Sequence, residues 1–304
     1  MIQALFDDEN PETRDVFAYP DTGEWDPDRN VREFVRAIPE WQGDRWRDPR
    51  LDAVTINFQC GRPVRHAPHQ PWIVSGFHPD GSLREDWLHR LKLILDRTDL
   101  LGMVVILGYF YAAQEEWMKG EEAIKRGACN LTEWLLEKEY THVLIEVNNE
   151  CNWAAHDILQ PQRVHEIIEY VQTIEREGFS YPVTSSFVGG PPTDEAVDVS
   201  DYILIHGNHI GDSNGIGDLL EETRDLPSYE PMPIVFNEDD HYGFESEPNN
   251  FSEAIAHGAS WGYFDPGVNN YHDGYQCPPV DWGINTDREH TFFDYLDMIT
   301  TGGD

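Results

Sequence analysis

Lysine is almost missing from this chain: it occurs only at Lys92, Lys119, Lys125 and Lys138. Lysine and arginine together number 21 against 57 Asp and Glu, a formal net charge of -36. So acidic a surface repels phosphate backbones and anionic lipid, which excludes nucleic acid and membrane surfaces as expected partners. The same lysine-poor acidity is expected of a halophilic protein, whose self-repelling surface needs salt to screen it. Cysteine is equally scarce. Cys60, Cys129, Cys151 and Cys277 show no CxxC spacing, which argues against a disulfide framework or a cysteine-built metal site, and four free thiols are expected. Long apolar runs are absent, and none approaches the roughly 20 residues needed to span a bilayer. The first residues, Met1 to Asp8, lack the basic and apolar regions of a secretory signal, so a cytoplasmic location is expected. Gly189-Gly190-Pro191-Pro192 is not followed by the GK[ST] of a phosphate loop and is expected to be a turn.

What the chain does have is a large apolar inventory, 39% hydrophobic and 12% aromatic, which supports a substantial core. Apolar, β-branched runs at 2–6, 53–58, 103–107, 141–150, 182–187, 202–205, 233–236 and 259–264 are expected to be strands. Helical spacing or helix-start signals mark 30–38, 82–101, 121–139, 161–177, 218–224, 249–257 and 286–300, with Pro39 ending or kinking the first and Ser82 capping the second. A short segment at 194–199 is the poorest helical unit. Eight strands alternating with helices predict an α/β chain folded as a single (β/α)8 barrel over residues 1–304. The first strand starts at residue 2 with nothing ahead of it to close the barrel floor, the pattern expected of an N-terminally shortened chain.

The stretch Thr141 to Glu150 carries the chemistry. It begins apolar and ends Asn148-Asn149-Glu150, at the strand end where barrels keep their active sites. A second strand ends in the same way, at Phe236-Asn237-Glu238. Strands four and seven face each other across a barrel mouth. Two carboxyl groups placed there can flank a glycosidic bond, one as proton donor and one as nucleophile or base. Glu146, deeper in the strand, is expected to be structural.

These features resemble the clan A glycoside hydrolases of the cellulase-like superfamily. Asn149-Glu150 matches the end of strand four, Phe236-Asn237-Glu238 the end of strand seven, and Ala259-Ser260-Trp261-Gly262-Tyr263-Phe264 the segment of strand eight. The resemblance implies a retaining hydrolase of poly- or oligosaccharides. It makes Glu150 the acid/base, Glu238 the nucleophile, Asn149 a partner for a sugar hydroxyl, His206 a neighbour of the nucleophile and Trp261 the floor of a sugar subsite. Tyr109, Tyr111, Trp153 and Tyr263 are expected to stack on sugar faces. No cofactor and no metal are expected. The chain departs from the pattern at strand two, where Asn57-Phe58-Gln59 replaces the arginine that steadies the nucleophile and Arg62 or Arg65 is left to substitute. It departs again after strand three, where Gly108-Tyr109-Phe110 replaces a histidine. Two other functions fit the same residues: a metal-dependent hydrolase using His206, His209 and His241, and a non-catalytic carbohydrate-binding barrel.

Overall fold

The structure, a computed structural model, describes residues 3–44, 48–49, 51–61, 72–208, 210–212, 214–265, 267 and 273–301. Helices α1 (Pro27–Gln42), α2 (Glu85–Leu101), α3 (Glu121–Glu137), α4 (Val164–Gln172), α5 (Asp194–Val199), α6 (Asn214–Arg224), α7 (Asn250–Ala256) and α8 (Asp287–Thr301) alternate with strands. A short antiparallel pair, β1 (Gly43–Asp44) with β2 (Asp48–Pro49), follows α1. The wall is made of β3 (Ala53–Asn57), β4 (Val104–Tyr111), β5 (Val143–Asn149), β6 (Val183–Thr184), β7 (Ser186–Phe187), β8 (Ile203–His206), β9 (Ile234–Asp239) and β10 (Ser260–Tyr263). They run parallel in two sheets, ordered β3-β4-β5-β6 and β7-β8-β9-β10. β6 and β7 are halves of one strand interrupted at Ser185, whose hydroxyl donates to the Asn148 carbonyl at 2.8 Å. This is the α/β arrangement of a (β/α)8 barrel, with helices alternating with parallel strands.

Local chemistry accounts for the boundaries. Asp26 caps α1 by accepting from Arg29 N at 2.8 Å, with Pro27 in the first turn. Of the two outcomes expected at Pro39, ending or kinking, the helix does not end there. The helix runs on to Gln42 because its last turn buries Trp41 against Phe34 and Trp282. Ser82 does not cap α2: its hydroxyl bonds Asp80 at 2.7 Å, and the helix starts three residues later. α7 opens with a full capping box between Asn249 and Ser252. Apolar side chains fill the space between strands and helices, while Ile106, Tyr202 and Leu204 form a small apolar layer of their own.

The first predicted strand is not a strand in the described residues. Residues 3–5 form a turn held by Asn30, whose amide donates to the Gln3 and Ala4 carbonyls at 3.1 Å each. Asn30 is in turn fixed by the Trp282 indole at 3.0 Å. The side-chain amide of Gln3 donates to the Gly61 carbonyl, so this turn caps the upper end of β3. Among the described residues the wall therefore has seven members, and β3 and β10 are not paired with each other.

Candidate active site

The candidate residues gather where β5, β8 and β9 end. β9 delivers Glu238 almost fully buried. Glu150 follows β5 in a left-handed conformation, φ 47° and ψ 62°, unusual for a residue with a Cβ. Its backbone N–H donates to the Ser186 hydroxyl at 2.8 Å, which ties this turn to the next strand. A non-glycine residue held in this region marks a position where the surrounding structure outweighs local preference.

His206 ends β8 and is fully buried. Its Nδ1 lies 2.9 Å from Glu150 Oε1. One ligand-type atom from each of Glu150, His206 and Glu238 lies within 4.8 Å of the other two. Asn208 donates from Nδ2 to Glu238 Oε1 at 3.0 Å. Two carboxyl groups and one imidazole thus share a small buried space.

The electrostatics follow from this crowding. Burial raises the Glu238 pKa; His206 lowers it and Glu150 raises it again, leaving it at about 7. For His206 burial opposes the charged form, but Glu238, the hydrogen bond to Glu150 and the charge of Glu146 outweigh it, and the pKa rises to about 9. Near neutral pH His206 is therefore an imidazolium, and its Nδ1–H donates to Glu150. Glu146 lies fully buried below, its own pKa raised by burial. Tyr111 ends β4 with its hydroxyl pKa pushed up by burial and by Glu238, Glu150 and Glu146, so it belongs to the same cluster. The Tyr111 N–H donates to Gln59 Oε1 at 3.1 Å, and Gln59 is held by Ser75.

The amides of Asn57, Asn149 and Asn237 are buried without a hydrogen-bond partner among the described residues. Such groups cost free energy unless something accepts from or donates to them, which is the mark of a polar binding surface. Gly108 keeps room for this layer: a Cβ there would fall 2.5 Å from Asn57 Nδ2 and 3.2 Å from Glu146 Oε2.

Other expected contacts are placed elsewhere. Tyr109 does not face the mouth. It is fully buried, with its hydroxyl 2.9 Å from Thr132 Oγ1 on α3, because Gly108 takes the inward position and the next residue turns outward. Tyr263 is largely buried, stacked on Phe292 at 4.4 Å with its hydroxyl donating to Asp265 at 3.0 Å, and lines the cavity that Glu238 and Trp261 also line. Trp261 stacks on Phe251 at 5.1 Å and donates from its indole to Asp239 Oδ2 at 2.8 Å. It stays partly exposed on a cavity that Glu238 also lines. Trp153, two residues past Cys151, is 66% exposed and is the aromatic next to Glu150 that is free to meet a ligand.

Among the described residues, His206 and His241 of the three-histidine set do not share one cluster. His206 groups with Glu150 and Glu238, while His241 groups with Asp239 and Asp240. His209 lies outside the described residues, as do Arg62 and Arg65. Each of the two groups has donors a cation could take. Asn208 was not singled out by sequence, although its place two residues beyond His206 was a signal.

No protein-family model and no curated protein matches this sequence. Solved structures do match in fold. An endo-β-1,4-mannanase from Thermotoga petrophila superposes with a TM-score of 0.58 at 12% identity, over 91% of this chain and 75% of that one. A GH5-4 broad specificity endoglucanase from Ruminococcus champanellensis, with bound cellotriose, gives 0.55 at 10% identity, over 95% and 94%. A GH5 xyloglucan-specific endo-β-1,4-glucanase from a metagenomic library, also with cellotriose, gives 0.54 at 12% identity, over 88% and 86%. The chain has the (β/α)8 fold that these clan A glycoside hydrolases share.

Proposed function

We propose that this chain is a retaining glycoside hydrolase acting on a poly- or oligosaccharide. The observation that carries the proposal is the Glu150–His206–Glu238 cluster, with reactive atoms within 4.8 Å of one another at the strand ends of a barrel. Retaining enzymes hold their two carboxyl groups roughly 5 Å apart, whereas inverting ones need a wider gap for water. Fold neighbours that cleave β-1,4-linked glucan, xyloglucan and mannan make such polymers the first substrates to try.

In this reaction Glu238 attacks the anomeric carbon as a carboxylate. The bond from that carbon to the leaving oxygen breaks, and Glu150 gives its proton to that oxygen. A glycosyl ester on Glu238 remains. Water then attacks the same carbon, Glu150 takes its proton, and the ester bond breaks to free Glu238. His206 suits both halves: its positive charge favours the ionised nucleophile, and its Nδ1–H holds Glu150 in place. Asn208 adds a hydrogen bond to the attacking carboxylate. The Asn149 amide, which has no partner among the described residues, is available to a sugar hydroxyl and exposed Trp153 to a sugar face.

Assay of Glu238→Gln and Glu150→Ala on soluble β-1,4-glucans and mannans tests this. Both should lose at least ~100-fold in kcat, and azide should rescue Glu150→Ala on an activated aryl glycoside. Activity surviving in Glu238→Gln refutes the assignment. Loss of activity on EDTA treatment would favour a metal-dependent hydrolase instead.

A further inference from the structure

Trp153, the exposed aromatic beside Glu150, sits on a turn that is tied down at both ends. At the start the Trp153 N–H donates to the Glu150 carbonyl at 2.9 Å. On one flank Asn152 Oδ1 accepts from the Val188 N–H at 3.0 Å, which binds the turn to the chain just beyond β7. At the far end the Ala155 N–H donates to Oε1 of Glu115, 40 residues earlier in the loop after β4. Glu115 is fully buried although it carries a carboxyl group, and its Oε2 has no hydrogen-bond partner among the described residues. The loop under it is firmly held. The neighbouring Gln114 side chain accepts from the Val74 N–H at 3.0 Å and donates to the Trp72 carbonyl at 3.4 Å, and the Met118 N–H donates to the Glu115 carbonyl at 2.9 Å. A carboxyl group withdrawn from water on a fixed base is a rigid anchor for the one N–H it accepts.

We infer that Glu115 is a positioning residue: by anchoring Ala155 from the neighbouring loop it holds the Trp153 indole at the mouth of the site and so sets the affinity for substrate. The inference rests on the carbohydrate reading of the site. Glu150 begins the same turn but has holds of its own, its N–H on Ser186 and its carboxyl group on His206. Releasing Ala155 therefore frees the indole and leaves the acid/base in place. An indole that is 66% exposed has little packing of its own, so its orientation follows from the backbone beneath it. Ala155 is itself exposed, so without Glu115 its N–H turns to water and the loss is confined to the order of the turn.

Two substitutions break the bond from opposite sides. Glu115→Ala removes the acceptor. Ala155→Pro removes the donor, and Ala154, at φ -64° and ψ 139°, already has the extended conformation taken ahead of a proline. Glu115→Gln keeps an acceptor and serves as the rescue. All are made in the full chain carrying Glu238→Gln, so that polymer is not consumed. They are read by affinity electrophoresis in soluble β-1,4-glucan and β-mannan and by amide exchange over 151–157. Glu115→Ala should speed exchange there by roughly tenfold or more. Both bond-breaking variants should bind about 2- to 10-fold more weakly, the loss that a misplaced aromatic contact brings, with Glu115→Gln close to the parent. In a Trp153→Ala background Glu115→Ala should weaken binding no further, a coupling that a merely structural clamp would not show. Equal weakening with and without Trp153 overturns the inference, as does unchanged exchange or unchanged binding in Glu115→Ala. Should Glu115→Ala not fold, Ala155→Pro carries the same cycle. A parent that binds neither polymer refutes the carbohydrate reading and the inference with it, whereas a parent that binds and a Glu115→Ala that binds equally well refute the inference alone.

Discussion

His206→Asn removes the positive charge that offsets the two neighbouring carboxyl groups. The reactive atoms of His206 and Glu238 lie within 4.8 Å. At an effective dielectric constant of about 20, a unit pair at that separation is worth about 3.5 kcal/mol, or ~2.5 pKa units. Relaxation and water entering beside the smaller side chain reduce this, so a rise of about 1–2 units is expected. Glu238 starts at about 7. The imidazolium favours its carboxylate, so losing it favours the protonated form, and the acid limb of kcat/KM moves to higher pH. Below neutrality the variant should lose about 10- to 100-fold in kcat/KM and regain part of it as pH rises. Melting curves give a second reading of the same charge. The folded pKa of His206 is raised to about 9 from 6.5, so its contribution to stability is full below the unfolded value and fades as pH climbs through about 9. The Tm gap between wild type and variant should narrow over that window. Assays of pH against kcat/KM on a β-1,4-glucan decide the matter: an acid limb that stays in place while kcat falls would show that His206 does not tune Glu238.

Asn208→Ala removes a hydrogen bond to a carboxylate, worth about 1.5–3 kcal/mol, and should lower kcat/KM by roughly 10- to 100-fold with little change in Tm. Gly207→Ala would set a Cβ 2.3 Å from Asp239 Oδ2, which also holds Trp261 and Asn250, so unfolding free energy should fall by about 1–3 kcal/mol in denaturant titration. Cys60, Cys151 and Cys277 are buried and only Cys129 is partly accessible, so a thiol reagent should titrate at most one group in native protein and four after denaturation. The charge of -36 predicts that Tm rises with KCl, and a flat salt dependence would remove the halophilic proposal.

Much of the frame was legible because strand runs and helical spacing carry it. The strand ending at Glu150, the capping box at Asn249 and the closing helix near Asp287 lie close to where periodicity and caps put them. Residues 2–6 misled because a short apolar run does not distinguish a strand from a buried turn; the bonds from Asn30 that decide it come from 26 and 27 residues away. Pro39 left two outcomes open, and tertiary burial of Trp41 is why the helix continues past it to Gln42. The carboxylates were visible as polar ends on apolar strands. Tyr109 and Tyr263 were not separable from ligand-facing aromatics, because which side of a strand faces a helix depends on register. Asn208 escaped because its place two residues beyond His206, though a signal, did not reveal that its partner, Glu238, lies 30 residues further on.

The central claim is that Glu238 becomes covalently glycosylated. Incubation with activated 2-deoxy-2-fluoro glycosides of gluco and manno configuration, followed by peptide mass spectrometry, tests it most directly. The account predicts one adduct per chain, on Glu238, formed by wild type and lost in Glu238→Gln. An adduct on another residue, or polysaccharide cleavage that inverts the anomeric centre, would contradict it.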